Sequence, residues 1–91
     1  MAGTRVTTAP SADLAEIRWR YATLTQREKE VAILVVRGLP NKQVASKLNL
    51  SEVTVKVHRR HIMLKMEAKS LPELVRITEM LRLHSSPQSP T

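Results

Sequence analysis

The sequence predicts an all-α domain in which a short N-terminal helix precedes four further helices. Apolar residues recur at spacings of three and four along most of the chain, which is typical of amphipathic helices. Ser, Thr and Asn stand where these segments begin, as expected of helix N-caps. With 91 residues the chain has room for one hydrophobic core, not two.

The chain is predicted to open with a linker and a short helix. Residues 1–10 combine Gly, Thr, Ala and Pro with little apolar content, which predicts disorder. Residues 11–22 are predicted to form a linker helix with Leu14, Ile17 and Tyr21 on one face. Because so short a helix is marginal alone, we expect it to dock on the domain. A frayed extension is the alternative.

The next helix is predicted at residues 24–37. Thr25 and Glu28 form a capping box, in which each side chain accepts a hydrogen bond from the other's backbone amide. Glu28 also lies on the apolar side, where an unpaired charge would be costly. The capping box can explain this glutamate by itself, and a contact with a cation on the helix at 51–66, such as Arg59 or Arg60, is the alternative.

Two helices joined by a tight turn are predicted at residues 41–48 and 51–66. Asn41 and Ser51 are their predicted N-caps. Asn49 is predicted to leave the first helix in the left-handed conformation. A connection of three or four residues is typical of a helix-turn-helix motif.

The second of these helices has an apolar inner face and a mixed outer face. The predicted core residues are Val55, His58, Ile62 and Met66. The opposite side holds Val53, Val57, Arg60 and Leu64, flanked by Lys56 and His61. Cations can pair with phosphates or guanine edges, and small apolar side chains can touch thymine methyl groups. The mixture suits a helix in the major groove of DNA, and a solvated face with tolerated valines fits equally well.

The last helix is predicted to begin at a second capping box, formed by Ser70 and Glu73. Its core stripe comprises Leu71, Leu74, Val75, Thr78 and Leu81. Ile77 and Met80 form a second apolar strip, which predicts either pairing with an identical helix or simply a wider core stripe. Residues 84–91 are rich in Ser and Pro and are predicted to be a disordered tail.

The net charge of +7 is concentrated on the predicted helix-turn-helix. Residues 41–69 contain seven Lys and Arg residues but only two acidic ones. Such clustering is typical of proteins that bind polyanions. Charge alone does not distinguish nucleic acid from an anionic membrane, but the helix-turn-helix pattern favours DNA.

Several classes of protein are disfavoured by what the sequence lacks. There is no Cys, and His58 and His61 point to different faces, so neither a metal nor another cofactor is expected. No nucleophile–base set or glycine-rich phosphate loop is present, so we expect no enzyme. Trp19 and Tyr21 are the only aromatic residues, which disfavours binding of single strands or RNA. Without a long apolar run or signal peptide, a cytoplasmic protein away from membranes is expected.

Five sequence blocks resemble the LuxR-type helix-turn-helix domain over about residues 24–81. They are LTQREKEV at 24–31, GLPNK at 38–42, SEVTVKVH at 51–58, KM at 65–66 and KS at 69–70. IRWR at 17–20 and MEAKSLP at 66–72 look most like the FixJ branch of the FixJ/NarL-type response regulators. In that branch the domain is the C-terminal output half of a two-component response regulator.

The resemblance implies a four-helix domain that binds double-stranded DNA and regulates transcription with its third helix in the major groove. The residues it implies to face bases are Lys56, Val57 and Arg60. Those it implies to lie near phosphates are Asn41, Lys42, Ser51, Thr54, Arg59 and His61. It further implies homodimerisation through the last helix, where Ile77 and Met80 lie, on a promoter element with two half-sites.

The resemblance also implies partners, namely RNA polymerase and a receiver domain whose phosphorylation relieves inhibition. That receiver is absent here, so residues 23–83 are interpreted as an excised output domain. Two residues depart from the family pattern. Glu67 stands where many members have Gly, so either the cap differs or the left-handed strain is tolerated. Leu64 is apolar where a polar residue is more usual.

Two other functions remain as alternatives. A promoter-reading region of a sigma factor uses a similar motif, although its main role would be polymerase binding. A protein-interaction module would keep the fold and use its last helix to sequester a partner regulator. The intact basic face argues against the latter.

Overall fold

The computed structural model describes the backbone of residues 10–85 and the side chains of residues 14–82. The helices in this part of the chain are α1 (Pro10–Ala22), α2 (Gln26–Val36), α3 (Asn41–Leu48), α4 (Glu52–Met66) and α5 (Leu71–Ser85). The predicted all-α class with an additional N-terminal helix is therefore confirmed. Residues 1–9 of the predicted linker and 86–91 of the predicted tail lie outside the described residues.

The outer ends of the helical region differ from the prediction. Helix α1 begins at Pro10, within the predicted linker. Proline suits a first helical turn because its ring fixes a helical φ and its missing N–H needs no partner there. Helix α5 reaches Ser85, two residues into the predicted tail. The sequence contains no Gly or Pro that would end it before Pro87.

The core lies around α4, which contacts α1, α2 and α3. The largest fully buried side chains are Val31, Val44, Val55, Ile62, Met66 and Leu74. Three of these come from the predicted inner face of α4, and burying each contributes about 1.5–3 kcal/mol. The fourth residue of that face, His58, is only half-buried. Helix α4 is thus fixed along one side by side chains from its neighbours.

Helix α1 docks on the domain, which confirms the favoured prediction. Ile17 is buried against the core, and α1 contacts both α4 and α5. Arg20 adds a polar link, because its Nη2 atom lies 2.9 Å from Glu16 Oε2 and 3.3 Å from Glu67 Oε1. The second of these ion pairs ties α1 to the C-terminal end of α4.

Helices α2, α3 and α4 each end in a turn of the same hydrogen-bonded type. Each is followed by a residue with positive φ, namely Gly38 (93°), Asn49 (58°) and Glu67 (55°). The next amide donates to a carbonyl five residues earlier, from Leu39 to Leu34 (3.2 Å), Leu50 to Ala45 (2.8 Å) and Ala68 to Met63 (2.9 Å). This is the Schellman motif, which satisfies carbonyls that a helix end leaves free.

The left-handed residue Asn49 confirms the prediction for the helix-turn-helix. At Glu67, where the family pattern has glycine, the backbone adopts the left-handed conformation despite the side chain. Of the two alternatives, the left-handed strain is therefore tolerated. That conformation costs a residue with a Cβ atom roughly 1–2 kcal/mol. The ion pair with Arg20 offsets part of this cost.

The capping interactions at the helix starts agree with the sequence at α2 and α4. The Glu28 amide donates to Thr25 Oγ1 (3.1 Å) and the Thr25 amide to Glu28 Oε1 (2.9 Å), which completes the predicted box. At α4 the Thr54 amide donates to Ser51 Oγ (3.1 Å), so Ser51 is the N-cap. These local signals therefore set where both helices begin.

The predicted N-cap at Asn41 is wrong. Pro40 occupies the cap position in an extended conformation, and its carbonyl accepts from Gln43 (2.9 Å) and Val44 (3.0 Å). The first helical bonds thus form one residue earlier than predicted, and Asn41 lies in the first turn. Proline has no side-chain acceptor, so α3 begins without a side-chain cap.

The predicted capping box at α5 forms only in part. The Glu73 amide donates to Ser70 Oγ at 3.2 Å, as expected. The Glu73 carboxylate, however, accepts from the Lys69 amide and not from that of Ser70. The carboxylate thus binds an amide four residues earlier, whereas the standard capping box spans three residues.

Candidate nucleic-acid interface

The helix-turn-helix consists of α3, a three-residue connection and α4. Burial of Val55, Ile62 and Met66 on the inner side of α4 turns its other side outward. Two apolar side chains there are largely exposed, Val53 at 70% and Leu64 at 67%. This side of α4 therefore presents both apolar groups and cations to solvent.

The three residues implied to face bases form one exposed cluster. Lys56 and Arg60 are one helical turn apart and therefore share a side of α4, with Val57 beside them. Within residues 14–82 neither Lys56 nor Arg60 takes part in an ion pair. Both cations can thus reach an external ligand without first breaking an internal bond.

Two of the residues implied to lie near phosphates meet at the start of α4. Ser51 Oγ donates to Thr54 Oγ1 at 2.9 Å, and both side chains are at least partly exposed. They stand at the N-terminus of a 15-residue helix, where free amides and the helix dipole favour an anion. Lys42 is exposed in the first turn of α3.

A side-chain bond connects the two helices of the motif. Arg59 Nη1 donates to Asn41 Oδ1 at 3.0 Å. Both residues are implied to lie near phosphates, and the structure brings them together. Asn41 thus acts as a tether that holds the Arg59 guanidinium, a contact that its expected capping role did not suggest.

A buried carboxylate lies behind the last third of α4. Glu28 is 3% exposed and is the one charged residue classed as buried within residues 14–82. Its Oε1 atom accepts a hydrogen bond from Lys65 Nζ at 2.8 Å, and its Oε2 atom lies 3.5 Å from His61 Nδ1. The capping box is therefore not the whole explanation of this residue.

The alternative prediction, a contact between Glu28 and a cation on α4, is confirmed, although its two named examples are wrong. A contact with α4 exists, but it involves His61 and Lys65 and not Arg59 or Arg60. His61 and Lys65 are four residues apart and so flank the carboxylate from one side of α4. The sequence analysis missed Lys65, because its spacing from His61 does not show which residue of α2 the two face.

The environment of Glu28 changes its acidity. Burial acts to raise the pKa of the Glu28 carboxyl, but the opposing influences outweigh it. These are the hydrogen bonds from Lys65 and from the Thr25 amide, and the positive charges of Lys65 and His61. The pKa is therefore held below its ordinary value of 4.5. A lowered carboxyl pKa stabilises the fold above the unfolded-state pKa, and that stability is lost as pH falls through the folded-state pKa.

Replacing Glu28 with glutamine is expected to lower the free energy of unfolding at pH 7 by about 1–2 kcal/mol. The amide oxygen can still accept from the Thr25 amide, but the charged partner of Lys65 is lost. The difference from the unchanged protein should shrink as pH falls below about 4.5. Urea unfolding at a series of pH values measures it.

Glu30→Gln is the matched control, because Glu30 lies on the same helix in an exposed pair with Arg27. Its effect should stay within about 0.5 kcal/mol at every pH. A Glu28→Gln deficit that does not change between neutral and acidic pH would contradict the proposed role of the ion pair.

The predicted dimer residues do not belong to the α3–α4 surface. Ile77 and Met80 are half-buried on α5 and pack against the core of their own chain. They line a cavity of about 270 Å³ together with Arg20, Glu67 and other side chains. Part of each side chain stays accessible, so pairing through this helix remains a prediction.

No set of three or more His, Cys, Asp or Glu residues that could hold a metal ion occurs in the described part of the chain. Between residues 10 and 85 no helix is long and apolar enough to span a bilayer.

Comparisons with known proteins show the family to which the chain belongs. The family model of bacterial regulatory proteins of the luxR family matches residues 22–78. The chain is 54% identical over 65 residues to the transcriptional regulatory protein FixJ of Rhizobium meliloti, covering 71% of this chain and 32% of FixJ. It is 48% identical over 69 residues to the response regulator protein TodT of Pseudomonas putida, covering 76% and 30%.

A solved structure extends the similarity to the fold. The response regulator StyR superposes with a TM-score of 0.73 at 43% identity, covering 77% of this chain and 35% of StyR. The chain thus spans about a third of the length of the relatives that it matches.

Proposed function

Because the chain belongs to the luxR family of bacterial regulatory proteins, which are DNA-binding transcription regulators, we propose that it reads a specific double-stranded DNA sequence. In this proposal α4 enters the major groove, and Lys56, Val57 and Arg60 meet base edges. Binding would regulate transcription from a promoter. This domain corresponds to the output domain of a response regulator.

The outer face of α4 is the observation that carries the proposal. It combines exposed valines with Lys56 and Arg60, which take part in no ion pair within residues 14–82, on a helix whose inner face is buried. Arginine and lysine can donate to guanine O6 and N7, and valine can pack on a thymine methyl group. A merely solvated helix would have little reason to expose this many apolar groups between cations.

Phosphate contacts would supply much of the affinity. The proposed contacts come from Asn41, Lys42, Ser51, Thr54, Arg59 and His61. The bond between Asn41 and Arg59 supports this assignment, because it holds one guanidinium in a defined position. Binding of this kind releases counterions and therefore weakens as salt rises.

The proposal extends to partners by analogy with the longer relatives. Two copies would bind two half-sites and pair through α5, with Ile77 and Met80 at the contact. A receiver domain would control the output domain, and RNA polymerase would be the target of regulation. Family membership favours this function over the sigma-factor region and the sequestering module.

Selection from a pool of randomised duplexes, repeated at two salt concentrations, tests the proposal. We expect an enriched motif, an affinity that falls as salt rises, and a twofold repeat if pairing accompanies binding. Salt-dependent binding without an enriched motif would contradict base reading by α4. Absence of binding at low salt would overturn the DNA-binding role itself.

A further inference from the structure

A groove on another part of the domain has the features of a protein-docking site. It has a volume of about 760 Å³ and is lined by side chains of α1, α2 and α5. None of its lining residues belongs to α3 or α4. The groove is therefore separate from the surface proposed to bind DNA.

The floor of the groove is apolar. It is formed by the side chains of Tyr21, Ile33, Val36, Val75 and Leu81. Ile33 is 46% exposed although it lies on a helix whose other apolar residues contribute to the core. A partner's apolar side chain that covers Ile33 would remove apolar surface from water, and this burial would favour binding.

The rim of the groove is basic. Arg18, Arg37 and Arg82 line it, and Glu79 is the one acidic residue among its lining side chains in the described part of the chain. Arg82 and Glu79 form an exposed ion pair at 3.3 Å, and such a pair contributes little to stability. Lys29 adds another cation nearby, since its Nζ atom lies 5.1 Å from the centre of the Tyr21 ring.

We propose that this groove binds an acidic amphipathic helix of a second protein. Its apolar side chains, spaced three and four residues apart, would cover the floor, and its carboxylates would meet the arginine rim. Arginine is enriched at protein interfaces because its planar guanidinium binds carboxylates through two hydrogen bonds. The inference does not depend on DNA binding.

The residues that flank the described helices do not supply this occupant. Residues 1–9 and 86–91 contain no Asp or Glu. A second copy of the chain carries the same net charge of +7, so its approach to a basic rim is opposed by repulsion. The charge of the groove thus points to an acidic segment from outside these 91 residues.

A synthetic peptide tests the inference with the full chain. The probe is an end-capped helical peptide of about four turns, with leucines at three- and four-residue spacing flanked by glutamates. A matched peptide carries glutamine in place of every glutamate. Amide NMR shifts of the isotope-labelled chain locate the binding site, and titration gives the affinity.

We expect the largest shifts at Ile33, Val36, Val75 and Thr78, and about tenfold weaker binding of the glutamine peptide. Shifts centred on Lys56 and Arg60 would overturn the inference, because the peptide would then be acting as a polyanion on the α4 surface. Equal affinity of the two peptides, or no binding at low salt, would overturn it too. So would groove shifts that depend on protein concentration without peptide, which would indicate self-association.

Variants with matched controls sharpen the test. Ile33→Ser and Arg37→Glu should each weaken peptide binding by about tenfold. Trp19→Ser removes an exposed apolar side chain outside the groove, and Arg27→Glu reverses a charge on α2 outside it. Both controls should bind as the unchanged chain does. Circular dichroism of all four variants verifies the fold, and loss of binding in the controls alone would contradict the assignment.

Discussion

Replacing Arg60 with alanine is expected to weaken binding to a selected duplex by about 1–3 kcal/mol, or roughly 5- to 150-fold. The expectation follows from the exposed position of Arg60 on α4, beside Lys56 and away from the buried inner face. The proposed bidentate contact to guanine would be lost with the guanidinium. Binding to a scrambled duplex should change much less, because that affinity comes mainly from phosphate contacts.

Fluorescence anisotropy with both duplexes, at two salt concentrations, separates the two kinds of contact. Arg82→Ala is the control, since Arg82 is an exposed arginine on α5 with no place on the α3–α4 surface. Equal losses on the selected and scrambled duplexes would show that Arg60 holds a phosphate and does not read a base. An unchanged affinity for both would remove Arg60 from the interface.

Replacing Ile62 with alanine is expected to lower the free energy of unfolding by about 2–5 kcal/mol. Ile62 is among the largest fully buried side chains and lies on the inner face of α4, between Val55 and Met66. Its truncation leaves a cavity where α4 meets the core. Domains of this kind have only about 5–15 kcal/mol of stability, so much of it would be lost.

Urea unfolding followed by circular dichroism measures this change. Leu64→Ala is the matched control on the same helix, because Leu64 is exposed and its truncation leaves no cavity. We expect its effect on stability to stay within about 0.5 kcal/mol. A loss of less than 1 kcal/mol for Ile62→Ala would contradict the central position of α4 in the core.

The features that the sequence predicted correctly depend on neighbours in the chain. The box between Thr25 and Glu28 and the left-handed turn at Asn49 need only a few consecutive residues. The two faces of α4 follow from helical periodicity, since burial of Val55 and exposure of Val53 are set by their positions along one helix. Such local signals also identified the five helices.

Two of the features that were missed depend on how helices cross. Whether Glu28 meets Lys65 or Arg59 is decided by the angle between α2 and α4, which no local pattern contains. The cap at Asn41 failed because Pro40 already supplied the first helical carbonyl. The groove with Ile33 on its floor is assembled from three helices, and its residues look unremarkable in each helix separately.

The turn between α3 and α4 has a consequence for insertions and deletions in the chain. All three of its residues are needed, because Asn49 takes the left-handed conformation, the Leu50 amide bonds to Ala45, and Ser51 caps α4. One inserted residue, absorbed into α4, would rotate its side chains by about 100° and point other groups outward. Changes of side chain on the outer face leave this geometry intact, whereas an insertion or deletion in the turn would reorient the whole face.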